Sequence, residues 1–116
     1  MDKGTIPINK NYMLEYRYHD RDSGYKYFNR KFEIYLLEKG LLSKNYLMHM
    51  DNSDENKMMP SLYKKGRKKE KFDFGVTNLN WNEIKNNFLE FIVDEIGEEN
   101  RENTKKALNK LSSPKL

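Results

Sequence analysis

From Tyr12 to His19 apolar and polar positions alternate: Tyr12, Leu14, Tyr16 and Tyr18 take one side, and Met13, Glu15, Arg17 and His19 take the other. A period of two predicts a half-buried strand. Asp20-Arg21-Asp22-Ser23-Gly24 follows as a turn, because Asp, Ser and Gly satisfy or relax tight backbone geometry. Residues 25–39 carry two patterns at once. Tyr25, Tyr27 and Phe28 begin a returning strand, whereas Phe28, Phe32, Tyr35, Leu36 and Lys39 follow helical spacing with Gly40 as a stop. The preferred reading is a strand over 25–28 and a helix over about 30–39 capped at Asn29, with a single long strand as the alternative.

Tyr46 to Met50 reads as a short strand, and residues 51–60 as a polar loop closed by Pro60. Ser61-Leu62-Tyr63 and Lys71 to Val76 flank a basic run as a hairpin, with Gly66 at its tip and Phe72, Phe74 and Val76 on one face. The clearest helix spans 81–96. Asn80 with Glu83 forms an N-cap and capping-box pair, Trp81, Ile84, Phe88, Phe91, Ile92 and Ile96 repeat at helical spacing, and Gly97 ends it. A weaker helix over about 100–111 follows, its stripe made of Ala107, Leu108 and Leu111, and Ser112-Ser113-Pro114 stops it. The expected fold is therefore α+β: a small antiparallel sheet of about 4–5 short strands packed against two to three helices. Residues 1–11 are expected as a loose arm, 12–112 as one domain and 113–116 as a flexible tail.

Composition bounds the class. At 116 residues there is room for one core, and 6 Phe, 8 Tyr and one Trp supply buriable area that a disordered chain would lack. The absence of cysteine excludes disulfides and thiolate metal sites. No window approaches the ~18 to 20 apolar residues of a membrane span, and Met1-Asp2-Lys3-Gly4 does not open an apolar signal stretch, so a cytoplasmic protein is expected. A bias of 17 lysines against 5 arginines, with 14 asparagines, is what AT-rich coding DNA produces, as in low-GC bacteria, their phages or similar viruses.

Charge is distributed in blocks. Residues 1–56 balance nine cations against nine anions, 57–71 carry seven cations against Glu70, and 81–102 carry seven anions against Lys85 and Arg101. The basic run of Lys64, Lys65, Arg67, Lys68, Lys69 and Lys71 cannot enter a core and marks a polyanion-binding hairpin, with Tyr63 as a ring for stacking on bases. The competing interpretation is a solvated hairpin whose lysines keep a sheet edge from aggregating. A second candidate is the tyrosine group Tyr12, Tyr16, Tyr18, Tyr25 and Tyr27, interleaved with Arg17, Arg21, Lys26 and Arg30, against which stands the reading of half core and half cross-strand pairs.

His19-Asp20-Arg21-Asp22 and His49-Met50-Asp51 with Asp54 and Glu55 hold metal-ligating atoms without metal-site spacing, and the 51–62 loop has Asn56 and Leu62 where an EF-hand needs Gly and Glu. A third candidate is the acidic helix face of Glu83, Glu90, Asp94 and Glu98, extended by Glu95, Glu99 and Glu102, either a solvated face or an imitation of a phosphate track. Together these features lead to an expectation of a non-enzymatic protein that engages nucleic acid, or a nucleic-acid-bearing complex, through the basic hairpin, without cofactor or metal. The alternative is a phage-type inhibitor of a host nucleic-acid enzyme, of the anti-CRISPR kind, acting through Glu90, Asp94, Glu95 and Glu98. A metal-independent RNase using His19 and His49 is the third.

Overall fold

A period of two, not of 3.6, governs residues 31–39. The computed structural model describes residues 2–20, 28–53, 60–65, 67–71 and 80–114. Six strands, β1 (Asp2–Pro7), β2 (Tyr12–His19), β3 (Lys31–Lys39), β4 (Lys44–Asp51), β5 (Ser61–Lys64) and β6 (Arg67–Lys71), form one antiparallel sheet in sequence order. Two helices follow, α1 (Trp81–Ile96) and α2 (Arg101–Asn109), joined through Gly97 and a 3-10 turn over Glu98–Asn100. The class is the α+β one expected, with a larger sheet.

The helix expected over 30–39 is strand β3. Its true pattern is Phe32, Ile34 and Leu36 buried on one side, with Lys31, Glu33 and Tyr35 half-buried on the other. The spacing of Phe32, Tyr35 and Leu36 that imitates a helix face mixes residues from both sides of the strand. Pairing decides the matter, since β3 finds strands on both flanks, with Leu14↔Leu36 on one and Ile34↔Met50 on the other. A β-bulge between Leu36 and Leu37 accommodates Leu47 as an extra residue of β4.

Residues 2–7, expected as part of a loose arm, are also strand. Ile6 is buried opposite Leu14, and Gly4 lies opposite Tyr16, whose ring crosses it: a Cβ at Gly4 would meet the Tyr16 hydroxyl at 2.6 Å. Beyond the strand, Ile8 is buried too, and the Asn9 side chain accepts hydrogen bonds from the Asn11 and Tyr12 amides at 2.8 and 3.0 Å, turning the chain into β2.

One face of the sheet carries the core. Leu14, Tyr18, Phe32, Ile34, Leu36, Met48, Met50 and Leu62 from the strands pack against Ile84, Phe88, Ile92 and Ile96 of α1 and Ala107 and Leu108 of α2. α1 starts and stops as expected: the Asn80 side chain accepts the Asn82 amide at 2.8 Å, and Gly97 at φ 106 donates its own amide to the Val93 carbonyl at 2.8 Å. Two long-range bonds pin the helical layer to the sheet. Asn9 Nδ2 donates to Asn100 Oδ1 at 2.7 Å, and the buried Tyr18 hydroxyl donates to the Ser112 carbonyl at 2.7 Å. The second of these holds the chain past α2, so Pro114, expected in the flexible tail, is buried. Among the described residues no helix is long and apolar enough to cross a membrane.

Candidate nucleic-acid interface

Among the described residues the basic run itself supplies the turn and the second strand of the hairpin. β5 and β6 pair Lys64 with Arg67 around a turn at Lys65, whose φ of 54 is the left-handed value a two-residue turn requires. Lysine and arginine suit this strand because, among the described residues, β6 is a sheet edge, where charge is tolerated and pairing with a further strand is discouraged. The expected flanking strand from Lys71 to Val76, with Phe72, Phe74 and the tip glycine Gly66, lies outside the described residues apart from Lys71 itself. Lys65 and Arg67 are exposed, and Lys68, Lys69 and Lys71 are positions of the edge strand. Lys64 is engaged: its Nζ meets Glu95 of α1 at 2.5 Å. The basic and acidic blocks thus touch within the fold.

The face of the sheet away from the helices holds a feature that sequence reasoning missed. Tyr35 of β3, His49 of β4 and Tyr63 of β5 are cross-strand partners, one beside the next. The ring centroids of His49 and Tyr63 are 4.7 Å apart with planes 8° from parallel, and those of Tyr35 and His49 are 4.9 Å apart at 29°. Those separations match the spacing between neighbouring strands, roughly 4.8 Å, and coplanar rings lying side by side cannot approach so closely. The rings therefore stand up from the sheet with their faces turned toward one another and their edges toward solvent.

Arg17 closes one end of the row, its guanidinium 4.6 Å from the Tyr35 ring centroid. Tyr46 adds an edge-on contact to Tyr35 at 5.4 Å. At the other end one face of Tyr63 is taken by His49, and its cross-strand partner on the far side is Lys68 of the hairpin. Burial together with the neighbouring Glu33 carboxylate pushes the Tyr35 hydroxyl up to about 12, against the opposing pull of Arg17.

Carboxylates hold the polar members of this face. Glu15 receives Arg17 through two hydrogen bonds of 2.6 and 3.0 Å, Glu33 bonds His19 at 2.7 Å and the Tyr35 hydroxyl at 3.2 Å, and Asp51 bonds His49 at 3.2 Å. Burial works to raise the Asp51 carboxyl, but the His49 and Ser53 hydrogen bonds outweigh it and hold it below the usual carboxylate range. Over β1–β3 the face dips into a depression of about 650 Å³, with Lys3, Arg17, His19 and Lys44 set against Glu15 and Glu33.

The other candidates fall as follows. Tyr12, Tyr16 and Tyr18 point to the core side, Tyr18 fully buried and the other two packed against the cluster, so all three belong to the core and form no solvent platform. Arg30 bonds Asp20 at 2.5 Å and lies over Tyr18 at 5.8 Å, while Tyr25, Tyr27, Arg21 and Lys26 lie outside the described residues. His19 and His49 each bond their own carboxylate. They stand two strands and four residues apart in register, a separation of roughly 16 Å between backbones, so they do not converge on one atom. Among the described residues no cluster of metal-ligating side chains exists.

In the acidic group, Arg101 binds Glu90 at 2.6 and 3.0 Å and Glu98 at 2.6 and 3.0 Å, and Glu95 holds Lys64. Asp94, like Glu83, Glu99 and Glu102, is exposed. No family model, no curated protein and no solved structure matches this chain.

Proposed function

We propose that the chain binds single-stranded nucleic acid at the hairpin edge of its open sheet face. The observation that carries this reading is the placement of Tyr63, the last ring of a continuous stack, directly beside the basic hairpin. Because Arg17 occupies the opposite end, a base extends the row only on the Tyr63 side, where each stacked base contributes about 1 to 3 kcal/mol. The exposed Lys65 and Arg67 are then within reach of the flanking phosphates, and Lys68, Lys69 and Lys71 add positive charge to the strand beside them. Binding of this kind is phosphate-led, needs no cofactor and has weak sequence preference, since lysine rather than arginine dominates and every base has a π-face. A duplex has no free base face to offer Tyr63 and gains only the electrostatic part.

The inhibitor reading loses support from the pairing of Glu90, Glu95 and Glu98 with cations of this same chain, which cancels much of the field a phosphate imitation requires.

The test is an anisotropy titration of labelled single-stranded and duplex oligonucleotides. Tyr63→Ala should weaken single-strand binding about tenfold while leaving duplex binding nearly unchanged, and Tyr63→Phe should retain both, because the face and not the hydroxyl is used. Replacing Lys65, Arg67, Lys68 and Lys69 by Ser should weaken both, and log affinity should fall with log salt at about 0.7 per single-strand phosphate neutralised. Binding insensitive to salt and to these substitutions rejects the proposal. A parent without affinity, whose lysine-depleted variant self-associates, assigns the hairpin to edge protection instead.

A further inference from the structure

We infer that the turn between β3 and β4 is a docking tip for an anionic lipid surface. Leu41 and Leu42 are 103% and 101% exposed, so among the described residues nothing covers either side chain. The tip is built, not frayed: the Gly40 amide donates to the Ser43 carbonyl at 2.8 Å, and a Cβ at Gly40 would meet that carbonyl oxygen at 2.5 Å. Lys39 and Lys44 pair across its base, and the β1–β2 loop brings Lys10 to the same level, because the Lys39 amide donates to the Asn11 carbonyl at 2.8 Å. All three lysines are exposed, Lys44 with a loose 3.9 Å contact to Glu15.

Two leucines flanked by three lysines match a bilayer boundary, with the apolar pair entering the headgroup and acyl region and the ammonium groups at the phosphates. A second tier of cations stands behind them. Lys64 is level with Met48, so the Lys65–Arg67 turn opens toward the same end, set back from the leucines by roughly 13 Å of strand. Insertion of about 5 to 10 Å brings that tier within a Debye length of the surface. Among the described residues the carboxylates at this end are Glu38 beside the tip and, in the helical layer, Glu98 held by Arg101, with Glu99 exposed.

A protein partner fits less well. A stable protein interface covers about 800 Å² on each side around aromatic or aliphatic anchors, and here two exposed leucines stand in a short turn between Lys39 and Lys44. A lipid surface needs no shape complementarity.

The experiment is co-sedimentation of the full chain with phosphatidylcholine vesicles, with and without phosphatidylglycerol, at low and high salt. The chain should sediment with the anionic vesicles and be released by salt. Leu41→Ser with Leu42→Ser should lower that affinity at least about tenfold without altering far-UV circular dichroism, since the side chains touch nothing. Leu41→Phe with Leu42→Phe should retain or raise it, and Lys39→Ser with Lys44→Ser should weaken only the anionic case. Equal sedimentation of the parent and the serine variant, no sedimentation with anionic vesicles, or leucine-dependent capture of a protein by a chain that ignores vesicles, each overturns the inference. Single-strand affinity of the serine variant should stay at the parent's value, which separates this surface from the hairpin edge.

Discussion

Single residues at the sheet's ends bear specific loads. Asn52 is fully buried, accepts the Phe32 amide at 2.9 Å and donates to the Arg30 carbonyl at 3.2 Å, closing the entrance to β3 in place of a strand partner. Asn52→Ala leaves a buried amide unpaired and should cost about 1 to 3 kcal/mol in chemical denaturation. Titration gives two further expectations. Asp51 has a folded pKa below its unfolded value, so its contribution is present above an unfolded pKa of about 4 and is lost as pH falls through the lower folded one. Asp51→Asn should therefore flatten the acid limb of a stability–pH curve. Tyr18, raised by burial with its hydroxyl on Ser112, and Tyr35, raised to about 12, have the opposite sign. Their neutral forms are favoured by folding, so stability is intact below an unfolded pKa of about 10 and declines as pH rises toward the folded values. Tyr18→Phe should reduce that alkaline loss, measured by melting across the alkaline range.

At the scale of elements, α1 was legible because three independent signals agree over one stretch: the Asn80 cap, an apolar stripe at helical spacing and Gly97 at φ 106. β3 was not, because Phe32, Tyr35, Leu36 and Lys39 meet helical spacing by coincidence while Phe32, Ile34 and Leu36 meet strand spacing by structure. Nothing local distinguishes the two; the flanking strands do. β1 was missed for a related reason, since Gly4 and Pro7 read as breakers, yet Gly4 is required beneath the Tyr16 ring and Pro7 ends the strand at an edge. Gly4→Ala should displace that ring and lower the melting temperature, whereas a loose arm would tolerate it. Burial also ranks two α1 aromatics. Phe88 is fully buried and Phe88→Ala should cost about 3 to 5 kcal/mol, while Trp81 is half-buried, edge-on to Phe32 at 5.4 Å, and Trp81→Ala should cost less. Equal melting of the parent and the Phe88 variant would remove α1 from the core. The ring row was illegible for a deeper reason: Tyr35, His49 and Tyr63 are neighbours only through register, which the bulge between Leu36 and Leu37 leaves intact at Tyr35↔His49.

Across the whole molecule the opposed charge blocks act on each other before they act on any partner. Lys64 to Glu95 links the hairpin to α1, and Arg101 at the start of α2 clamps Glu90 of α1 and Glu98 of the connecting turn. The guanidinium beside both carboxylates holds Glu90 and Glu98 below the usual range, and they in turn raise Arg101. Reversing Glu90, Asp94 and Glu98 to Lys removes this clamp and sets ammonium groups at the two positions that hold Arg101. Since Glu90 and Glu98 are solvent-exposed, salt screens the loss, and the melting temperature should fall only modestly, by less in high salt than in low. The same triple variant changes the net charge from +4 by six units to +10, and a more positive chain should bind single strands more tightly at low salt. If the acidic face instead imitates phosphate for a basic protein partner, the variant loses that partner while gaining affinity for nucleic acid. A titration against labelled single strand, paired with melting at two salt concentrations, therefore separates an internal clamp from a docking face: higher oligonucleotide affinity with a small, salt-dependent melting shift is the expected result, and unchanged oligonucleotide affinity would mean that the hairpin edge does not feel the charge of the helical layer at all.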